Sequence, residues 1–209
     1  MQECLEPATS PLAVKTDVLH DRPFMAELFL LRVLRHPQGN AVPFLVIGGH
    51  AVIALGHVRA TFDYDFLTSE SHRHALNTVF EDIGYTLFAA NGPFVQWTAP
   101  PGLPPVDIMV VDDATFVKLE TTSRSVAIAG QQVRIPSPEN LVALKLHASR
   151  QRTRESASHQ DWLDIVQIVR RQRLDLEEPS FRALLVRYGG PETPDILSRL
   201  LLQGTGDSA

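Results

Sequence analysis

The stretch Phe44-Leu45-Val46-Ile47-Gly48-Gly49-His50-Ala51-Val52-Ile53-Ala54-Leu55-Gly56-His57-Val58-Arg59-Ala60-Thr61-Phe62-Asp63-Tyr64-Asp65-Phe66-Leu67 decides how this chain is read. Pro43 to Ile47 is an apolar run too short for a helix, and it stops at a glycine pair, so it reads as a buried strand ending in a turn. His50 to Gly56 reads as a short helix, and Thr61 to Leu67 as a second strand with alternating faces. Glycine has no Cβ, so Gly48 and Gly49 let the backbone approach a ligand closely. The helix start behind them offers free N–H groups to an anion, for which phosphate is the natural candidate. Along a strand, residues two apart share a face at roughly 6.5 to 7 Å. Asp63 and Asp65 therefore point one way, and Phe62, Tyr64 and Phe66 the other.

Two carboxylates on one face suit hard cations. Mg²⁺ takes carboxylate oxygens together with substrate phosphates, and two such ions about 3.5 to 4 Å apart can activate a hydroxyl and stabilise a leaving pyrophosphate. A site of that kind needs a third acid from a neighbouring strand. Asp107 is placed for it, because Val106, Ile108, Val110 and Val111 make its strand read as buried, where an unpaired carboxylate is costly. Taken singly, the glycine pair is an ordinary tight turn and Asp-x-Asp an ordinary strand end. Their order carries the signal, with about 14 positions from the glycines to Asp63 and a third Asp on a later apolar strand. The expectation is that Asp63, Asp65 and Asp107 converge within bridging reach of shared metals.

These residues resemble the nucleotidyltransferase superfamily with the DNA polymerase β type of palm, most closely its small bacterial members, including the abortive-infection (AbiEii-like) nucleotidyltransferase toxins. The match runs from about Phe44 to Asp107, with a weaker echo from Leu141 to Ile168. The family pattern of a glycine-rich turn, a short helix, Arg-x-Thr-x-Asp-x-Asp and a later strand Asp is met by Gly48-Gly49, Arg59-Ala60-Thr61-Phe62-Asp63-Tyr64-Asp65 and Asp107. The resemblance implies a Mg²⁺-dependent transfer of a nucleoside monophosphate from an NTP, such as ATP, to a hydroxyl acceptor: RNA or tRNA, a protein, or a small molecule. It also implies a possible cognate antitoxin as partner. Many superfamily members carry Ser after the first Gly; this chain has Gly49, which removes a hydroxyl ligand for phosphate. Triphosphate binding then falls to backbone N–H groups and to basic side chains, with Arg59, Thr61 and Lys145 as the nucleotide-binding candidates beside Gly48 and Gly49.

The second half reads as helix only, over about 137 to 152, 159 to 173, 179 to 188 and 192 to 203. Ser137-Pro138-Glu139 has the form of an N-cap with Pro at the first helical position. Leu141, Leu144 and Ala148 then face inward, with Lys145 at the edge of that face, either snorkelling to water or directing its ammonium at the triphosphate or at Asp161. The run Arg150-Gln151-Arg152-Thr153-Arg154 reads as a solvated helix end or as a contact for nucleotide or RNA phosphate. Trp162, Ile165, Val166 and Val169 form an apolar stripe, with Asp161 and Asp164 on the neighbouring face. The histidines show no metal spacing backed by cysteine, and His50 stands out only because it follows the glycines.

The remaining elements are a helix from Pro23, a helix over Ser71 to Ile83, a hairpin of Tyr85 to Ala89 and Phe94 to Thr98 around Asn91-Gly92-Pro93, and strands at Val106 to Val111, Ser125 to Ile128 and Gln132 to Ile135. The expected fold is α/β (α+β): a small mixed sheet, the palm, flanked by helices and followed by a C-terminal helical part. The expected divisions are a loosely ordered arm over 1–22, the palm over 23–136 and the helical region over 137–209. In 209 residues with 44% apolar and 21% charged content there is room for a sizeable core, and no run approaches the roughly 20 apolar residues of a membrane span. The lone Cys4 and the absence of a secretory pattern point to the cytoplasm. A net charge of −5 argues against a general nucleic-acid binder while leaving room for a local basic groove. Two other readings stand beside the enzyme: a catalytically weak nucleotide- or partner-binding component of a toxin/antitoxin system, and an unrelated α/β domain in which the motif is fortuitous.

Overall fold

The computed structural model describes residues 22–39, 41–151 and 155–203. Residues 1–21 of the expected arm, Cys4 among them, and Arg152 and Arg154 of the basic run lie outside the described residues, while Arg22, expected in the arm, opens the first helix. In chain order the elements are α1 (Arg22–Arg35), β1 (Leu45–Val46), α2 (Gly48–Ala54), β2 (Tyr64–Ser69), α3 (Glu70–Asp82), β3 (Thr86–Asn91), β4 (Phe94–Thr98), β5 (Val106–Val111), α4 (Asp113–Thr121), β6 (Arg124–Ile128), β7 (Gln131–Ile135), α5 (Pro138–Gln151), α6 (Glu155–Gln172), α7 (Pro179–Gly189) and α8 (Thr193–Gln203). The fold is the expected α/β (α+β) one, with a mixed five-stranded sheet and helices around it.

The sheet runs β1-β2-β5-β4-β3, and β6 and β7 form a separate hairpin. Strands β2 and β5 are parallel, with Asp65 opposite Asp107 and Leu67 opposite Met109, while β4 pairs antiparallel with β5, placing Gln96 opposite Asp107 and Phe94 opposite Met109. One face therefore carries Tyr64, Phe66, Val106, Ile108, Val95 and Trp97, all buried. Phe29 of α1 seats itself on that face, its ring 4.8 Å from that of Tyr64 and 6.2 Å from that of Phe66. Cutting Phe29 to alanine would cost about 3 to 5 kcal/mol through lost burial and the cavity left behind. The same core takes in Leu141, Ile165, Leu185 and Leu197, so helices α5 to α8 share it with the sheet. The other face holds Asp65, Asp107 and Gln96, and farther along, Leu67 is covered by Phe116 and Leu119 of α4 in a smaller cluster.

The local departures from the sequence reading have physical causes. Strand β2 begins at Tyr64, whose N–H donates to the Pro105 carbonyl at 2.9 Å. Pro104 and Pro105 have no N–H, so the ladder cannot extend backward, and Asp63 falls at a bend just ahead of the strand rather than within it. Helix α4 does not appear in the sequence reading; Asp112 caps it by accepting from the Thr115 N–H at 2.8 Å. Ser137 caps α5 as expected, accepting from the Asn140 N–H at 3.3 Å. No described helix is long and apolar enough to cross a membrane.

Candidate active site

All eight residues singled out in the sequence, Gly48, Gly49, Arg59, Thr61, Asp63, Asp65, Asp107 and Lys145, line one cleft of about 500 Å³ between the sheet and α5–α6. The glycine turn is built for close approach. Gly48 has φ +60, which side-chain-bearing residues rarely adopt, and a Cβ there would overlap the Asp65 carboxylate. A Cβ on Gly49 would overlap the Thr61 hydroxyl and press on the Arg59 guanidinium. The Ile47 N–H donates to the Asp65 carbonyl at 2.8 Å, so the turn is tied to β2 by backbone as well. Ile47 contributes no side-chain cap to α2.

On the sheet wall, Asp65 and Asp107 are cross-strand partners facing the cleft. The Gln96 amide lies 3.4 Å from each oxygen of Asp107. Asp63 is turned toward Thr61, whose hydroxyl donates to it at 3.0 Å. Among the described residues, no three His, Cys, Asp or Glu side chains are drawn together into a finished metal cage. The expected convergence of the three acids into one metal cluster is thus not met among the described residues: Asp65 and Asp107 stand opposite each other on neighbouring strands, Asp63 is held by Thr61 ahead of β2, and all three line the same cleft.

The helical wall is organised differently. Lys145 Nζ lies 2.9 Å from Asp161 Oδ1 and 2.8 Å from Asp164 Oδ2. The Arg59 Nη2 group donates to Asp164 Oδ2 at 3.0 Å, Nε sits 2.9 Å from Asp164 Oδ1 as an ion-pair contact, and Nη1 donates to the Ala60 carbonyl at 2.9 Å. Of the readings of Lys145, the structure shows the one directed at Asp161 and adds Asp164, with Lys145 itself among the residues lining the cleft. Asp161 and Asp164 are both buried. Their roles were open in the sequence, although two acids on the margin of an apolar stripe are a signal, because such acids need cations once buried. Gln96 was missed, since its place opposite Asp107 depends on strand register.

His50 stacks its ring on Tyr64 at 3.8 Å between centroids. Burial pushes its pKa down to about 4; Asp63 acts against that and Arg59 with it. The ring is therefore neutral near pH 7. Burial likewise raises the Tyr64 hydroxyl to about 12.

The family model described as nucleotidyl transferase AbiEii toxin, type IV TA system, matches residues 32–204. The chain belongs to this AbiEii family. It is accordingly a nucleotidyltransferase of a toxin family from type IV toxin–antitoxin systems. By sequence, no curated protein matches it. Among solved structures it is similar to the antibiotic-resistance factor ANT(2″)-Ia in solution, with TM-score 0.61 and 14% identity over 88% of this chain and 97% of that one. It is also similar to crystalline ANT(2″)-Ia in complex with adenylyl-2″-tobramycin, with TM-score 0.50 and 14% identity over 86% and 98% of the two chains. At such identity these likenesses speak to the fold, and they extend it to nearly the whole of those chains.

Proposed function

We propose that this AbiEii-family chain transfers a nucleoside monophosphate from an NTP to a hydroxyl acceptor in this cleft, with Asp63, Asp65 and Asp107 as metal ligands and catalytic acids. The observation that carries the reading is the meeting of the glycine turn, the three carboxylates and Lys145 on one cleft. The donor set fits Mg²⁺, since it consists of hard carboxylate oxygens and two of the ligands are fixed opposite each other by parallel-strand register. Two Mg²⁺ ions, when bound, would supply Lewis-acid activation of the acceptor hydroxyl and charge neutralisation of the leaving pyrophosphate.

The chain's own residues do the rest. Gly48 and Gly49 admit the triphosphate against the backbone, and Lys145 and Arg59 offset its negative charge, taking over from the hydroxyl that Gly49 lacks. The Thr61 hydroxyl orients Asp63. The acceptor oxygen bonds to the α-phosphorus, the bond to the bridging oxygen breaks, and pyrophosphate leaves with the electron pair. In this reading Asp107, opposite Gln96 of β4, takes up the acceptor's proton. The protein works in the cytoplasm, with a cognate antitoxin as its partner.

The test is to incubate the protein with Mg²⁺, each labelled NTP in turn, and the RNA, protein and small-molecule fractions of a cell extract. Label is expected in one fraction, with release of pyrophosphate, and is expected to vanish with Asp63→Asn or with chelation of Mg²⁺. Equal labelling by wild type and Asp63→Asn would overturn the metal role, and no labelling in any fraction would favour a binding component over an enzyme. Which fraction takes the label identifies the acceptor.

A further inference from the structure

Arg59 and Lys145, the arginine and the lysine among the described residues lining the cleft, come from different parts of the chain, yet both are held by one carboxylate that does not itself line the cleft. Asp164 is fully buried. Its Oδ2 meets Lys145 Nζ at 2.8 Å and Arg59 Nη2 at 3.0 Å, and its Oδ1 meets Arg59 Nε at 2.9 Å and the Gln160 amide at 3.1 Å. His57 Nε2 stands 4.0 Å from the same oxygen. Both oxygens are thus engaged, Oδ2 by Lys145 and Arg59 Nη2 and Oδ1 by the Gln160 amide with Arg59 Nε in ion-pair contact. A carboxylate at the bottom of a site, bonded this way, fixes the long and otherwise mobile side chains of lysine and arginine in a single geometry.

The consequences differ for the two cations. Lys145 lines the cleft, and its ammonium bridges Asp164 and the cleft-lining Asp161. Arg59 also lines the cleft, and its guanidinium packs so closely on Gly49 that a Cβ there would press on Nη2. The same carboxylate therefore sets where the positive charge of one wall lies and braces the backbone of the turn that receives the phosphates. An isolated lysine ammonium would sample many positions, and ordering it at the moment of binding would weaken affinity.

We infer that Asp164 is a positioning residue for the nucleotide's phosphates, acting from α6 through Lys145 and Arg59 without touching the nucleotide. This rests on the nucleotide-binding reading given above and assigns that site a control point in the C-terminal helices.

The experiment is a mutant cycle read by calorimetry, with inorganic triphosphate and with each of the four NTPs, all with Mg²⁺. Asp164→Asn keeps the shape and removes the charge; it is expected to weaken binding of inorganic triphosphate and of all four NTPs by about 10-fold or more. In a Lys145→Met background the same change is expected to cost at least threefold less, because a residue that acts through another loses its effect when the other is gone. A purely structural Asp164 would give the same factor in both backgrounds, and that result overturns the inference, as does binding by Asp164→Asn within twofold of wild type. If Asp164→Asn does not fold, the neutral pair Arg59→Gln/Asp164→Asn is compared with Arg59→Gln alone. A further loss of threefold or more is expected through Lys145, and equal affinities overturn the inference. Wild type that binds none of the NTPs overturns the nucleotide reading itself, an outcome separate from any difference among the variants.

Discussion

The two walls of the cleft hold their charges in opposite ways. On the sheet wall, Asp65 and Asp107 are brought face to face by strand register, and the contact to Asp107 from β4 is a neutral amide at 3.4 Å. On the helical wall, two aspartates and two cations are packed into a balanced, buried network. The backbone enforces a concentration of like charge in the first case, whereas in the second the charges hold one another. Changes to the sheet wall should therefore cost activity and leave the fold alone. Changes to the helical wall should cost both.

The sharpest way to break that contrast is Asp63→Asn, Asp65→Asn or Asp107→Asn. Each is expected to lower transfer by about 10³-fold or more, about 4 kcal/mol of transition-state stabilisation, with unchanged or slightly raised thermal stability because like-charge repulsion is relieved. Activity assays paired with melting curves check it, and a large fall in melting temperature would erase the distinction between the walls. Next is Asp164→Ala, which strands Lys145 and Arg59 in a buried setting and is expected to destabilise the fold by about 3 to 5 kcal/mol in denaturant titration. Lys145→Ala and Arg59→Ala, measured separately by calorimetry with NTP and Mg²⁺, are expected to lose about 1.5 to 3 kcal/mol of binding, or roughly 10- to 150-fold. Binding within twofold of wild type by either folded variant would make that residue structural.

A smaller effect sits where the walls meet. Gly48→Ala forces a side chain into a left-handed backbone and onto the Asp65 carboxylate, with an expected cost of about 1 to 3 kcal/mol in stability. The smallest concerns His50. Its folded pKa of about 4 lies below the usual 6.5, so the unfolded chain binds the extra proton between those values. This contribution to stability is fully present above pH 6.5, declines as pH falls from 6.5 toward 4, and changes no further below. Allowing for the partial exposure of the ring, it is on the order of 1 kcal/mol. His50→Phe, which keeps the stack on Tyr64, should flatten that acid limb in pH-dependent melting; an unchanged slope would assign the limb to other groups.

Much of this was legible in the sequence because it rests on local chemistry. The glycine pair, the apolar strand around Asp107, the Asn91-Gly92-Pro93 hairpin and the Ser137 cap each announce themselves within a few residues. What was not legible depends on partners distant in the chain. Asp63 lies ahead of β2 because Pro104 and Pro105 cannot donate to the ladder, and only the pairing of β2 with β5 shows that these prolines matter there. Helix α4 escaped because Thr115, Val117 and Thr121 are poor helix formers, and its Phe116 and Leu119 gain their purpose only against Leu67 and Leu45. The partnership of Asp164 with Arg59 spans 105 positions, and no spacing rule reaches that far.

The fit of Gly48 against Asp65 carries a consequence for how freely this sequence can change. Position 48 is constrained twice, by its backbone angle and by the carboxylate lying where a side chain would begin. Shrinking residue 65 removes the second constraint but not the first, so no substitution at 65 relieves position 48 of its left-handed backbone. In a library that varies both positions together, glycine at 48 should stay enriched among folded clones whatever stands at 65, and aspartate at 65 should be enriched only among active ones.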